Sequence, residues 1–151
     1  MKRKEWIAII GVVIASLCFE HALRADGGFQ IDATLSKKIS ADENPIEPTN
    51  QFPKETPEIF ATWKSTQAKE GQTAKAGWIA EDVGQAAPRN TKIIEKSMQL
   101  NRQAEAEGKN VIWWNGHFSL SKPTNGWPVG KYRVEIYFDE KLVKTLPFVI
   151  Q

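Results

Sequence analysis

The chain of 151 residues has one cysteine, Cys18, and two histidines, His21 and His117. Cys18 and His21 fall in a leader-like segment, so the remainder carries no thiol and a single imidazole. That excludes a disulfide scaffold, and it leaves too few ligands for zinc, whose sites draw three or four His, Cys or carboxylate groups at close spacing. Cysteine nucleophiles are excluded too. Serines are present without a Gly-x-Ser-x-Gly turn, and His117 would share a strand face with Ser119 without the strained turn that presents a nucleophile. Gly27-Gly28 lacks the helix and lysine of a phosphate loop. Asp42-Glu43-Asn44 and Glu81-Asp82 follow no calcium-loop pattern. Carboxylate pairs for glycoside hydrolysis cannot be picked out by spacing among so many acids. The expectation is a protein with no catalytic activity, no cofactor and no metal.

Excess charge of one sign is lacking as well. Residues 1–25 show the three parts of a secretory signal: Lys2, Arg3 and Lys4, then the charge-free run Trp6 to Phe19, then a polar end from Glu20 to Ala25. As a helix that run would cover about 20 Å, short of the ~30 Å hydrocarbon core. A cleaved signal, with Leu23-Arg24-Ala25 before Asp26, is therefore favoured over a permanent anchor. If it is uncleaved, residues 6–19 would hold the domain at the membrane. Leu17 stands where a lipobox wants a small residue, which argues against lipidation of Cys18. Without residues 1–25 the chain carries 16 basic and 16 acidic side chains. Nucleic acid and anionic membranes demand clustered positive charge, so neither is an expected partner. The expected location is exported, periplasmic or on the extracellular face of the membrane.

Residues 26–50 read as an extended arm or linker: a possible strand over Phe29 to Leu35, then a stretch with Pro45 and Pro48 that disfavours both helix and central strand. Residues 51–151 read as one domain, a size sufficient for a single core. Ile59 to Lys64 and Ala74 to Glu81 alternate in the period-2 manner of half-buried strands, around the turn Ala68-Lys69-Glu70-Gly71-Gln72. Val111 to Leu120 and Lys131 to Phe138 are the clearest strands. Asp139-Glu140 then turns the chain into Lys141 to Ile150, where Pro147 calls for an edge or a bulge. Thr91 to Gly108 is open to two readings, a short strand followed by a polar loop, or a helix closed by Gly108 with Ile94 and Met98 four apart.

Short strands without βαβ alternation point to an all-β fold, an Ig-like antiparallel β-sandwich of about seven strands behind an N-terminal signal or apolar helix and the arm. The expected core is Trp63, Trp78, Phe118, Tyr132, Val134, Ile136 and Phe148. Phe118-Ser119-Leu120, the corner Gly126-Trp127-Pro128-Val129-Gly130-Lys131-Tyr132, and Asp139-Glu140-Lys141-Leu142-Val143 running into Pro147-Phe148-Val149 resemble a group of bacterial exported Ig-like domains. Gly71 followed by Trp78 is similar to their second hairpin. The resemblance covers about residues 52–151, and it implies architecture without naming an activity.

Adjacent Trp113 and Trp114 on a strand would face opposite sides, one core and one outward. With Trp127 and Tyr137 they are the candidate binding residues, since an exposed aromatic can stack on a sugar or anchor a protein contact. Trp127 before Pro128 also reads as an end plug. The expected function is a non-catalytic protein-binding domain, an accessory or docking subunit of a periplasmic or membrane-associated complex. The alternative is a carbohydrate-binding module, which requires two coplanar exposed aromatics on one sheet face.

Overall fold

In the computed structural model, residues 28–101 and 113–151 are described. The expected signal over 1–25 and the loop or helix over 102–108 lie outside the described residues. Nine strands follow in order: β1 (Asp32–Ile39), β2 (Pro45–Pro48), β3 (Gln51–Phe52), β4 (Glu58–Ser65), β5 (Thr73–Asp82), β6 (Thr91–Gln99), β7 (Trp114–Ser121), β8 (Gly130–Phe138) and β9 (Lys141–Ile150). They form two packed sheets, ordered β2-β1-β4-β7 and β3-β9-β8-β5-β6. Every pairing is antiparallel except the short β3 beside β9. In immunoglobulin terms β1, β4 and β7 take the places of strands A, B and E, and β5, β8 and β9 those of C, F and G. The fold is thus an all-β, Ig-like sandwich.

Two expectations need correction. The expected arm over 26–50 is, in its described part from residue 28, not free of the domain: Asp32 to Ser36 pair with β4, and β2 pairs with β1 inside the same sheet. Pro45 and Pro48 are tolerated because β2 is an edge with a single neighbour, where a missing amide hydrogen breaks no ladder. Strand count rises from about seven to nine through the short β2 and β3. The open choice at Thr91 resolves to strand over Thr91–Gln99, paired along β5.

Both sheets turn their alternate residues inward, and Trp63, Trp78, Phe118, Tyr132, Val134, Ile136 and Phe148 are all buried. Aromatic edges tie the interior together. Trp127 meets Tyr132 at 6.3 Å, Tyr132 stacks on Phe148 at 5.2 Å, and Phe148 meets the edges of Trp78 and Phe52 at 6.1 and 5.7 Å. Such pairs add about 0.5–1.5 kcal/mol each beyond burial. Trp63 packs edge-on to Phe138 at 5.0 Å. Trp63 can approach β7 because Gly116 faces it, and a Cβ there would stand 3.0 Å from the indole. Pro147 is placed where β9 needs no outward donor: Val149 gives its amide to Asn50, and β3 pairs only with Val149 and Ile150.

The corner entering β8 is closed by side chains in place of a disulfide. Trp127 Nε1 donates to the Thr56 carbonyl at 2.7 Å, and the Tyr132 hydroxyl donates to the Pro128 carbonyl at 2.6 Å. The second bond is the tyrosine corner of Ig-type sandwiches. Burial raises the Tyr132 phenol from 10.0 to about 12. The neutral form is the one the fold favours, so the unfolded chain releases this proton first. Stability from Tyr132 is complete below pH 10 and falls as pH climbs from 10 toward 12, by about 2 kcal/mol. Tyr132→Phe is expected to cost about 1 kcal/mol at neutral pH through the lost hydrogen bond, and to lack this alkaline decline. Urea midpoints of both proteins between pH 8 and 12 test it; parallel curves would exclude the assignment.

Candidate docking edge and the outer faces

The four aromatic candidates do not come together. Trp127 is buried and holds its indole hydrogen on Thr56, so it is structural and unavailable to a ligand. Trp114, at the start of β7, is half-buried and packs against the core. Trp113 stands just before β7 and is 60% exposed. Tyr137 lies on the outer face of the other sheet, half-buried. Its hydroxyl is tied to Glu135 at 2.6 Å, and the Lys75 ammonium sits 5.1 Å from its ring centroid. One ring face is therefore occupied. Among the described residues, the coplanar aromatic pair required for sugar stacking is not formed.

Around Tyr137 the outer face of the β3-β9-β8-β5-β6 sheet carries a closed network of ion pairs. Arg133 binds Glu135 at 2.7 Å and Glu81 at 3.1 Å, and it also donates to Asn90. Lys75 pairs with Glu140 and with Glu95, and Glu95 pairs with Lys92 at 2.9 Å. The hydrogen bonds from Tyr137 and Arg133 hold the Glu135 carboxyl below its ordinary range, while the same carboxylate pushes the Tyr137 phenol up. The Glu140 contact raises Lys75, and Lys92 lowers Glu95. Within this network each charge has an opposite neighbour. At one end lies a shallow depression of about 170 Å³, lined by Asn50, Gln51, Glu81, Lys131, Pro147 and Val149 among others.

β6 is different. It closes one side of its sheet, and among the described residues no strand pairs with its outer edge. Its register against β5 slips by one residue: Trp78 faces Ile94 but Ile79 faces Lys92, so Ile93 is the extra residue of a β-bulge. Ile93 and Ile94 are left 42% and 38% exposed. Inward positions opposite Ala74, Ala76 and Trp78 are Met98, Lys96 and Ile94. Lys96 reaches across the open side of the sandwich to the Ser119 carbonyl of β7, at 2.5 Å. An inward-pointing lysine at an edge is a known guard against unwanted strand pairing, and here it occupies an acceptor of the edge strand β7. Among the described residues, β6 keeps its own edge free and two isoleucines in the open. The sequence offers a short strand here but neither its full length nor its edge position, because the bulge breaks the alternation that marks a strand.

His117 and Ser119 share the outer face of β7, but His117 Nδ1 lies 3.3 Å from Glu43 Oε1, in the tip joining β1 to β2. Among the described residues no group of three or more His, Cys, Asp or Glu side chains converges as a metal site would. No family model and no curated protein matches the chain. Among solved structures, an immunoglobulin-like protein from Pseudomonas aeruginosa aligns with a TM-score of 0.46 and 11% identity, over 84% of this chain and 99% of that one. The alkylpurine DNA glycosylase AlkC of Pseudomonas fluorescens, solved on DNA containing an abasic-site analogue, gives 0.43 and 10%, over 83% of this chain and 31% of that one. Likenesses this distant carry no argument about function.

Proposed function

We propose that the chain is a non-catalytic, exported protein-binding domain, an accessory or docking subunit of a periplasmic or membrane-associated complex, and that β6 is where the partner adds an extended segment. The supporting observation is that no strand among the described residues pairs with the outer edge of β6, where Ile93 and Ile94 are exposed. Backbone groups along such an edge supply affinity through main-chain hydrogen bonds, and neighbouring side chains supply specificity. The paired charges on the outer face next to β6 fit a partner chosen by strand pairing more than by charge.

The test is a mild-detergent pull-down of the full chain from its own cells, comparing wild type with Ile93→Lys/Ile94→Lys. Ile94 lies opposite the buried Trp78, so Ile93→Lys alone, at the bulge and 42% exposed, is run beside the double variant as the one expected to change stability by no more than about 1 kcal/mol. A stoichiometric protein that accompanies the wild type and is lost by more than tenfold from the variants supports the proposal. A companion held equally by all moves the interface off β6, and the absence of any companion overturns the docking reading. Quenching of tryptophan fluorescence by polysaccharide that is lost in Trp113→Ala would instead support the carbohydrate alternative, although Trp113, 60% exposed, has no coplanar aromatic partner among the described residues.

A further inference from the structure

We propose that the β1–β2 hairpin is a hinged flap that gates the outer face of β4 and β7, held closed by contacts at its tip. β1 pairs with β4 only from Asp32 to Ser36; between Ser36 and Ile39 its partners are residues of β2. Continued in register, the chain would run past Ser36↔Phe60 toward Thr56, away from Lys64. Yet the tip at 40–44 bonds to Lys64, Asn115 and His117. Lys64 Nζ donates to Asn44 Oδ1 at 2.5 Å, Asn115 Nδ2 to the Asp42 carbonyl at 3.3 Å, and His117 Nδ1 meets Glu43 Oε1 at 3.3 Å. The hairpin must therefore double back over the sheet.

Burial agrees with this path. Thr62 and Ser36 occupy outward positions on β4 and β1, where solvent would normally reach them, yet they are 4% and 0% exposed. Phe60 and His117, their rings 5.9 Å apart, are half-covered beside them. The bend has a local cause: Glu47 holds φ +55 within β2, next to the Ser36↔Pro48 pair where β1 leaves β4. The tip is a tight turn with Glu43 at φ +59, closed by Ser40 and Asn44 bonding to each other. Left-handed backbone at two glutamates is costly and persists because the closed arrangement fixes it. Three polar contacts at a partly exposed tip are a weak latch compared with the aromatic interior, so the flap belongs to the low-stability end of the molecule and opens without unfolding the sandwich.

Thiol labelling reads this directly, because the chain beyond residue 25 has no native cysteine. In a full-length Cys18→Ser background, Thr62→Cys reports the covered face and Ala76→Cys reports the core. Thr62→Cys is expected to react at least tenfold faster than Ala76→Cys under native conditions, and far more slowly than the same thiol in urea. Lys64→Ala, and separately Asn115→Ala, should speed Thr62→Cys labelling roughly three- to tenfold and leave Ala76→Cys unchanged. Equal labelling of the two thiols, or tip variants that accelerate both alike, would overturn the flap.

Discussion

Gly130→Ala is expected to cost about 3 kcal/mol or more and to disorganise the corner that leads into β8. Gly130 opens β8 with φ +153 and lies against the end of β5, so that an added Cβ would stand 2.3 Å from the Asp82 carbonyl oxygen and 2.9 Å from Val83 Cα. Both are backbone atoms and cannot swing aside as a side chain would. β8 must then move away from β5, which breaks the Asp82↔Lys131 pairing and disturbs the Ile150 pairing on its other side. The corner bonds of Trp127 and Tyr132 are the next to suffer, because both residues flank this position. Overpacking of this kind typically costs 1–3 kcal/mol, and left-handed backbone forced on a side chain adds to it. Urea unfolding with near-ultraviolet circular dichroism tests the expectation. A cost under about 1 kcal/mol with an unchanged aromatic spectrum would show that the corner yields easily.

Trp78→Ala should lose about 3–5 kcal/mol, the range for emptying a large aromatic site in a core. Trp78 sits at the middle of β5 with both neighbours paired, faces Val134 on one side and Ile94 on the other, and is fully buried. Removing it also deletes the edge contact with Phe148, the hub that joins Phe52 and Tyr132. The indole Nε1 of Trp78 meets no acceptor among the described residues. Trp78→Phe keeps most of the ring and discards a buried donor, so it should cost less than half as much as alanine. Equal losses for the two variants would mean that the site depends on the indole hydrogen and not on filled volume.

Much of the sandwich could be read from alternation. β4, β5, β8 and the later part of β9 place hydrophobic residues two apart, and those residues line the interior. Where reading stopped short, the reason lies in contacts distant in sequence or in broken periodicity. Pro45, Pro48 and the acids between β1 and β2 resemble a linker, and only the pairing with β1 makes them part of a sheet. Trp127 looked available to a ligand because its acceptor, Thr56, lies 71 residues away. Tyr137 looked free for the same reason, since Lys75 comes from β5. β6 imitated a helix. Lys92 pairs with Glu95 three residues on, and Ile94 and Met98 face one way four residues apart. Three-residue spacing cannot share a face of a regular strand; the extra Ile93 makes it possible.

That supernumerary residue also works like a cut in a key. A regular incoming strand can follow β6 along residues 94–99 or along 91–92, but it loses step at Ile93. Only a segment that ends there, or carries a matching irregularity, can seat along the whole edge. Indiscriminate stacking of like chains is thereby discouraged on the side of the sheet that no described strand covers, and admission depends on the partner's length and phase.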